Sequence, residues 1–175
     1  MRFQRRMLLV TLAAMALLPV LPSHARADTF GIRAGSSLDR FGFSSAEVYW
    51  QRQLALTWGD SRSWHTDSQL ELRGGRINGG GDSLTVAGAA FNLWLRHPAA
   101  PISLGVGTGP TYLSKSRLAG RDFGGHWQFT THIAAQLRLG ANLQLGYRIQ
   151  HTSNAGLRSP NYGYNLHVLD VQVRF

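Results

Sequence analysis

Leu169-Asp170-Val171-Gln172-Val173-Arg174-Phe175 alternates without a break. Its odd positions are apolar and its even positions polar or charged. In an extended chain successive side chains fall on opposite faces, so this segment has one greasy face and one wet one. The same period runs back along the chain. Leu143, Leu145, Tyr147 and Ile149 alternate with Asn142, Gln144, Gly146 and Arg148. Trp127, Phe129, Thr131, Ile133, Ala135 and Leu137 alternate with His126, Gln128, Thr130, His132, Ala134 and Gln136. Within Ile102–Tyr112, Leu104 and Val106 stand against Gly105, Gly107 and Gly109, whereas Leu84–Leu95 is apolar on both faces. Leu70 and Leu72 oppose Glu71 and Arg73. Val48, Trp50, Leu54 and Leu56 oppose Glu47, Tyr49, Gln51 and Gln53, with Arg52 interrupting the apolar face. Phe30, Ile32 and Ala34 oppose Gly31, Arg33 and Gly35.

Eight such segments, mostly near ~10 residues, predict an all-β chain. The architecture expected is an eight-stranded antiparallel transmembrane β-barrel of the outer membrane, apolar toward lipid and polar toward the lumen. A soluble β-sandwich would also alternate. The terminal Phe175, preceded by apolar residues at every second position, resembles instead the C-terminal signature of outer-membrane barrels. With both termini periplasmic, turns are expected near Gly59–Thr66, His97–Ala100 and Arg138–Ala141, and outer loops at Ser114–Gly124 and Thr152–Gly163. A barrel this small is filled by its own side chains. Glu47, Glu71 and Asp170 are expected to meet Arg33, Arg73 and Arg148 inside, and His126 and His132 to be hydrogen-bonded interior residues. Trp50, Trp58, Trp127 and Tyr147 suit the membrane-interface belt.

The beginning of the chain has another character. Arg2, Arg5 and Arg6 precede an apolar run from Met7 to Leu21, and Ala25-Arg26-Ala27 follows. A basic start, a short apolar core and small residues around a cleavage point predict a secretory signal peptide over residues 1–27. The mature barrel is then residues 28–175. Losing four arginines and no acid lowers the net charge from +9 to +5. Such a modest excess in an exported chain fits anionic lipid headgroups and not nucleic acid. The absence of Cys removes disulfide frameworks and thiolate metal sites, and no metal-ligand spacing stands out.

One segment is not explained by wall building: His151-Thr152-Ser153-Asn154-Ala155-Gly156, followed by Pro160-Asn161-Tyr162-Gly163. Continuing the outward series through Ile149 puts His151 and Ser153 on the lipid side, at the outer end of the seventh predicted strand. Counting back from Phe175 puts Asn165 and His167 on the outward face of the eighth. A lipid-facing His loses hydration without any apolar gain, so packing does not account for it. Imidazole and hydroxyl at positions i and i+2 of one face can come within hydrogen-bonding reach, as a base and its nucleophile must.

Residues 147–163 resemble the C-terminal motif of the PagL family, in which a His-x-Ser-Asn segment closes the seventh strand and a Pro-Asn-x-Gly loop follows. The resemblance implies an eight-stranded barrel with an outward active site and lipid A 3-O-deacylase activity without metal or organic cofactor. It also implies Ser153 as nucleophile, His151 as general base, and Asn154, Gly156 and Asn161 as candidate oxyanion support. The family's third member is a Glu fourteen residues after the His; here that position is Asn165. An amide oxygen can still orient the ring, but it cannot stabilise imidazolium as a carboxylate does. The expected partners are lipopolysaccharide and the surrounding outer-membrane lipids, with Lys115, Arg117, Arg121 and Arg158 as candidate contacts to lipid A phosphates. Monomer and homodimer both stay open. So do two other functions: a non-catalytic barrel, structural or adhesive, and an esterase of glycerophospholipids.

Overall fold

The computed structural model describes residues 28–38 and 42–175. The predicted leader, residues 1–27, lies outside them. Ten strands follow in chain order: β1 (Asp28–Ser37), β2 (Ser44–Gly59), β3 (His65–Gly79), β4 (Asp82–Arg96), β5 (Ile102–Leu113), β6 (Arg117–Leu118), β7 (Arg121–Asp122), β8 (Trp127–Arg138), β9 (Leu143–Ser153) and β10 (Tyr164–Arg174). Eight of them close into an antiparallel barrel in the order β1-β10-β9-β8-β5-β4-β3-β2. The predicted architecture is therefore the one found.

β6 and β7 form a separate hairpin inside the link between β5 and β8. Two-residue strands are too short to carry a period, so alternation could not reveal them. Ala119 and Gly120 join them with φ of 49° and 78°, the paired positive angles of a tight hairpin turn. Gly80 and Gly81 join β3 to β4 in the same way, with φ of 59° and 80°.

β2, β3 and β4 run to 16, 15 and 15 residues, longer than the expected strands. Their extra length shortens the first turn at the end that carries the termini to residues 60–64. The other two turns at that end are residues 97–101 and 139–142. The longer connections, residues 114–126 and 154–163, lie at the far end.

The wall is inside-out relative to a soluble protein. Outward Leu169 is 67% exposed, whereas inward Glu71 is 0% exposed. Phe30, Ile32, Val48, Leu104, Ile133 and Val171 share the outward apolar face, which only a lipid surround would cover. Arg52, the interruption noted on β2, donates two hydrogen bonds to Asp28 at 2.9 and 2.8 Å and lies over the Trp50 ring. It is a rim residue held by its neighbours.

The lumen is filled in layers. At its middle Glu71 accepts from Arg33 Nη2 at 2.6 Å, Gln51 Nε2 at 2.8 Å and Arg148 Nη2 at 3.3 Å. Glu47 accepts from Arg33 and Arg73, and Asp170 from the Tyr49 hydroxyl at 2.7 Å. Toward the far end Arg73 Nη2 donates to Thr111 and Thr130, and Thr130 is linked to Thr152. Beyond them an apolar plug closes the barrel, including Phe43, Leu84, Val86, Phe123, Tyr164 and Leu166. The plug explains why Leu84–Leu95 lacks clean alternation: its inward residues meet an apolar part of the lumen. Trp94 fills the space above Gly105, where an added Cβ would come within 2.6 Å of the indole.

His132 is interior as expected, at 3% exposure, but it is not hydrogen-bonded as expected: its Nε2 is buried without a partner among the described residues. His126 is not interior. It is exposed just before β8 and stacks on the outward Tyr112 at 5.6 Å, with Nδ1 against the Leu113 carbonyl oxygen. The period that puts even positions of β8 inside ends where the strand ends.

Candidate active site

The register of β9 on β10 pairs His151 directly with Asn165. Their side chains meet on the outside of the wall, with His151 Nδ1 2.8 Å from Asn165 Oδ1. An amide oxygen only accepts, so the bond places a proton on Nδ1 and, in the neutral ring, leaves the lone pair on Nε2. That is the tautomer a general base requires.

Ser153 follows at the end of β9, opposite Phe129 of β8. Its hydroxyl is not hydrogen-bonded to the His151 ring in this structure, and it holds no other side-chain bond among the described residues. Both side chains nevertheless border one point. A Cβ added to Gly163 would lie 2.7 Å from Ser153 Cβ and 3.0 Å from His151 Cε1, and 2.5 Å from the Thr152 carbonyl oxygen. Gly163 thus leaves open a space that both side chains border. The Pro-Asn-x-Gly motif carried it, but its steric role is visible only when β10 is folded against β9. Gly163→Ala is expected to lower turnover by roughly 10²-fold, the cost of a ~1 Å misplacement at a reacting centre. Kinetics of the folded variant in detergent check this; an unchanged rate would show that the spacing does not matter.

The residue between the two, Thr152, points into the lumen and is fully buried. Its link to Thr130, and through Thr130 to Arg73, clamps this stretch of wall from inside. A rigid strand end holds two neighbouring side chains in a fixed relation better than a free loop does.

The loop beyond Ser153 is organised by Asn154, which is 1% exposed. Its Nδ2 donates to the carbonyl oxygens of Phe123, Arg158 and Pro160, and its Oδ1 accepts from Gly156 N at 2.9 Å. Asn154 N donates to Asn161 Oδ1 at 3.0 Å. The side chain and backbone N–H of Asn154 and the N–H of Gly156 are therefore already engaged in holding the loop. Of the three residues expected to support an oxyanion, Asn161 alone is exposed with its amide nitrogen outside this network. Ala155 between them has φ of 54°, a left-handed angle uncommon for alanine. Sequence gave no sign of this feature.

The four loop cations divide. Lys115 pairs with Asp82 at 2.6 Å and Arg117 with Asp122 at 2.7 Å. The backbone N–H of Gly124, and then Arg117, hold the Asp122 carboxyl below its ordinary range. Arg121 Nε donates to the Tyr162 carbonyl oxygen at 2.6 Å and so ties the β6–β7 hairpin to the loop that precedes Gly163. Arg158 is exposed and makes no ion pair among the described residues.

Comparison with known proteins agrees with this architecture. A lipid A deacylase PagL of Bordetella bronchiseptica is 33% identical over 69 residues, which make up 39% of this chain and 39% of that protein. The aligned part thus spans well under half of that relative. The crystal structure of the outer membrane enzyme PagL superposes with a TM-score of 0.72 at 18% identity, over 83% of this chain and 98% of that one. The N-terminal β-barrel domain of Pseudomonas aeruginosa OprF gives a TM-score of 0.57 at 10% identity, over 85% of this chain and 97% of that one. At such identities these superpositions establish the barrel fold alone. A family model described as lipid A 3-O-deacylase (PagL) matches residues 44–174. That match runs from β2 to β10 and takes in His151, Ser153 and Asn165 together with most of the wall that carries them, so this chain belongs to the PagL family of outer-membrane β-barrels.

Proposed function

We propose that this chain is a serine esterase that removes the ester-linked 3-hydroxyacyl chain at position 3 of lipid A, with its site open to the outer leaflet. The observation that carries the reading is the His151–Asn165 hydrogen bond on the outward wall, two residues from Ser153 at the far end of β9. A histidine ring oriented by an amide acceptor has no packing reason to stand on the outward face of the wall. Lipopolysaccharide fits as substrate because its acyl esters lie just beneath its headgroups. An outward serine at the far end of β9 lies at that depth if the termini face the periplasm.

In this reading His151 Nε2 takes the Ser153 proton as Oγ attacks the ester carbonyl carbon. The tetrahedral oxyanion needs donors already in place, worth ~3–4 kcal/mol each; Asn161 Nδ2 is the candidate with capacity to spare. As the C–O bond to the sugar breaks, His151 returns the proton to the leaving oxygen. Water then enters by the reverse route and releases the hydroxy acid. Arg158 is the cation best suited to a lipid A phosphate, since Lys115 and Arg117 are already paired.

Mass spectrometry of lipid A from cells expressing the chain tests the reading. Loss of one 3-hydroxyacyl unit with the wild type, but not with Ser153→Ala, is expected. Intact lipid A with a correctly inserted wild-type barrel would overturn it, and a lysophospholipid product would point to glycerophospholipids instead. The role of Asn165 has its own test. Asn165→Ala is expected to slow turnover roughly 10–100-fold, since the ring loses its orienting acceptor. Asn165→Glu is expected to raise it several-fold by stabilising imidazolium. An unchanged rate in Asn165→Ala would remove Asn165 from the mechanism.

A further inference from the structure

The opposite mouth of the barrel, at the end that carries the termini, holds a cavity of about 610 Å³. Strand ends and the turns at residues 97–101 and 139–142 wall it. Arg96 of β4, Arg138 of β8 and Arg174 of β10 all line it, against a lone lining carboxylate, Asp67 of β3. Three guanidinium groups and one carboxylate leave two positive charges in excess, with the lining histidines, His65 and His97, still neutral. Beneath lies a layer of buried glutamines that includes Gln51, Gln69, Gln136 and Gln172. Their amides carry no charge to offset the arginines.

The protein itself matches these arginines poorly. Arg96 is mostly withdrawn from water, its side chain 20% exposed, yet each of its polar contacts is stretched. Ser103 Oγ and Gln136 Oε1 accept from it at 3.4 Å, and Asp67 Oδ2 stands 3.5 Å from its Nε. Ordinary N–H···O bonds are ~2.7–3.2 Å long. Asp67 is also shared with His65, at 3.6 Å. Arg138 Nη2 donates to the carbonyl oxygens of Pro98 and Ala100, and no carboxylate pairs with it among the described residues. The Arg174 side chain has neither a hydrogen bond nor an ion pair among them. Like charges gathered in a cup with low-dielectric walls raise the local concentration of counter-ions. A guanidinium with stretched bonds has much to gain from a bidentate oxyanion.

We propose that this mouth binds a water-soluble organic anion carrying two or more phosphate or carboxylate groups. The excess of arginine selects an anion. The placement of the arginines selects more than one anionic group. β10, β8 and β4 are each separated by one strand around the barrel, so their guanidinium groups reach the cavity from different parts of its rim. A ligand charged at two points meets two of them at once. Size selects an organic molecule, because the cavity falls in the ~300–1,000 Å³ range of small-molecule sites and exceeds what an inorganic ion fills. Solubility follows from the wall, whose apolar face is turned outward, away from the cavity. The site lies at the other end of the barrel from His151 and Ser153 and rests on neither.

Isothermal titration calorimetry of the full barrel in non-ionic detergent, at low salt, tests this with citrate, fructose 1,6-bisphosphate and acetate. Wild type should bind at least one of the two polyanions roughly tenfold more tightly than acetate. A difference between the two supports the site and names the group, carboxylate or phosphate, that the arginines prefer. Arg96→Gln and Arg174→Gln should each weaken that binding about tenfold, the effect of one charge-assisted hydrogen bond. Arg174→Gln removes a side chain without a partner, so it keeps the test readable if Arg96→Gln does not fold. Arg62→Gln removes the same charge from the neighbouring turn, where Arg62 pairs with Asp60 outside the cavity, and should bind as wild type does. Equal affinity for acetate and both polyanions, full binding in Arg174→Gln, or an equal loss in Arg62→Gln would each overturn the site. No ester is cleaved in this measurement. A wrong assignment of Ser153 therefore leaves it readable, and that error appears separately as full turnover in Ser153→Ala.

Discussion

Ser153→Ala should lower deacylation of lipid A by about 10⁴-fold or more, the scale on which removing a nucleophile disables an esterase of this kind. The barrel itself should not notice. The Ser153 hydroxyl holds no side-chain hydrogen bond among the described residues, and the strand around it is fixed by Thr152 on the inner face. Insertion, heat-modified mobility and melting temperature are therefore expected to match wild type, so that the loss can be read as chemistry. Any residual rate would come from binding and from donors such as Asn161. Retention of wild-type turnover in a verified Ser153→Ala preparation would move the nucleophile elsewhere.

Glu71→Ala should act in the opposite way, on the wall and not on the site. Glu71 is wholly buried and accepts hydrogen bonds from Arg33, Gln51 and Arg148. Removing it leaves two guanidinium groups in the lumen with less compensation, since Glu47 already serves both Arg33 and Arg73. Breaking a buried pair from one side costs ~3–5 kcal/mol, which in a chain of this size corresponds to a fall in melting temperature of roughly 10 °C. Glu71→Gln should fall between the two, because it keeps acceptor capacity and loses the charge. Thermal unfolding in detergent, followed by the mobility shift of the folded barrel, gives the values. If Glu71→Ala melted with wild type, solvent rather than this network would be stabilising the arginines.

Several features of the site were legible before any fold was known. The outward face of His151, Ser153, Asn165 and His167 follows from counting by twos from Ile149 and Phe175, because a strand has a fixed period and this barrel has only two faces. The interior meeting of Glu47 and Glu71 with Arg33 and Arg73 follows from the same count. The count failed where strands end. His126 has inward parity but stacks outside on Tyr112. The three residues assigned together to the oxyanion proved unequal, because the Asn154 side chain turns back to hold its own loop.

Sequence by itself determined the barrel, the number of wall strands and, in the strands that alternate, which side of the wall a residue faces. These depend on local alternation, and one residue of slip would expose the charges to lipid. Only tertiary structure decided which residues on that face touch. The pairing of His151 with Asn165 and of Ser36 with His167, and the space left by Gly163, depend on the register between strands distant in sequence. Register is set when the sheet closes, with β1 against β10, and no single strand contains that information.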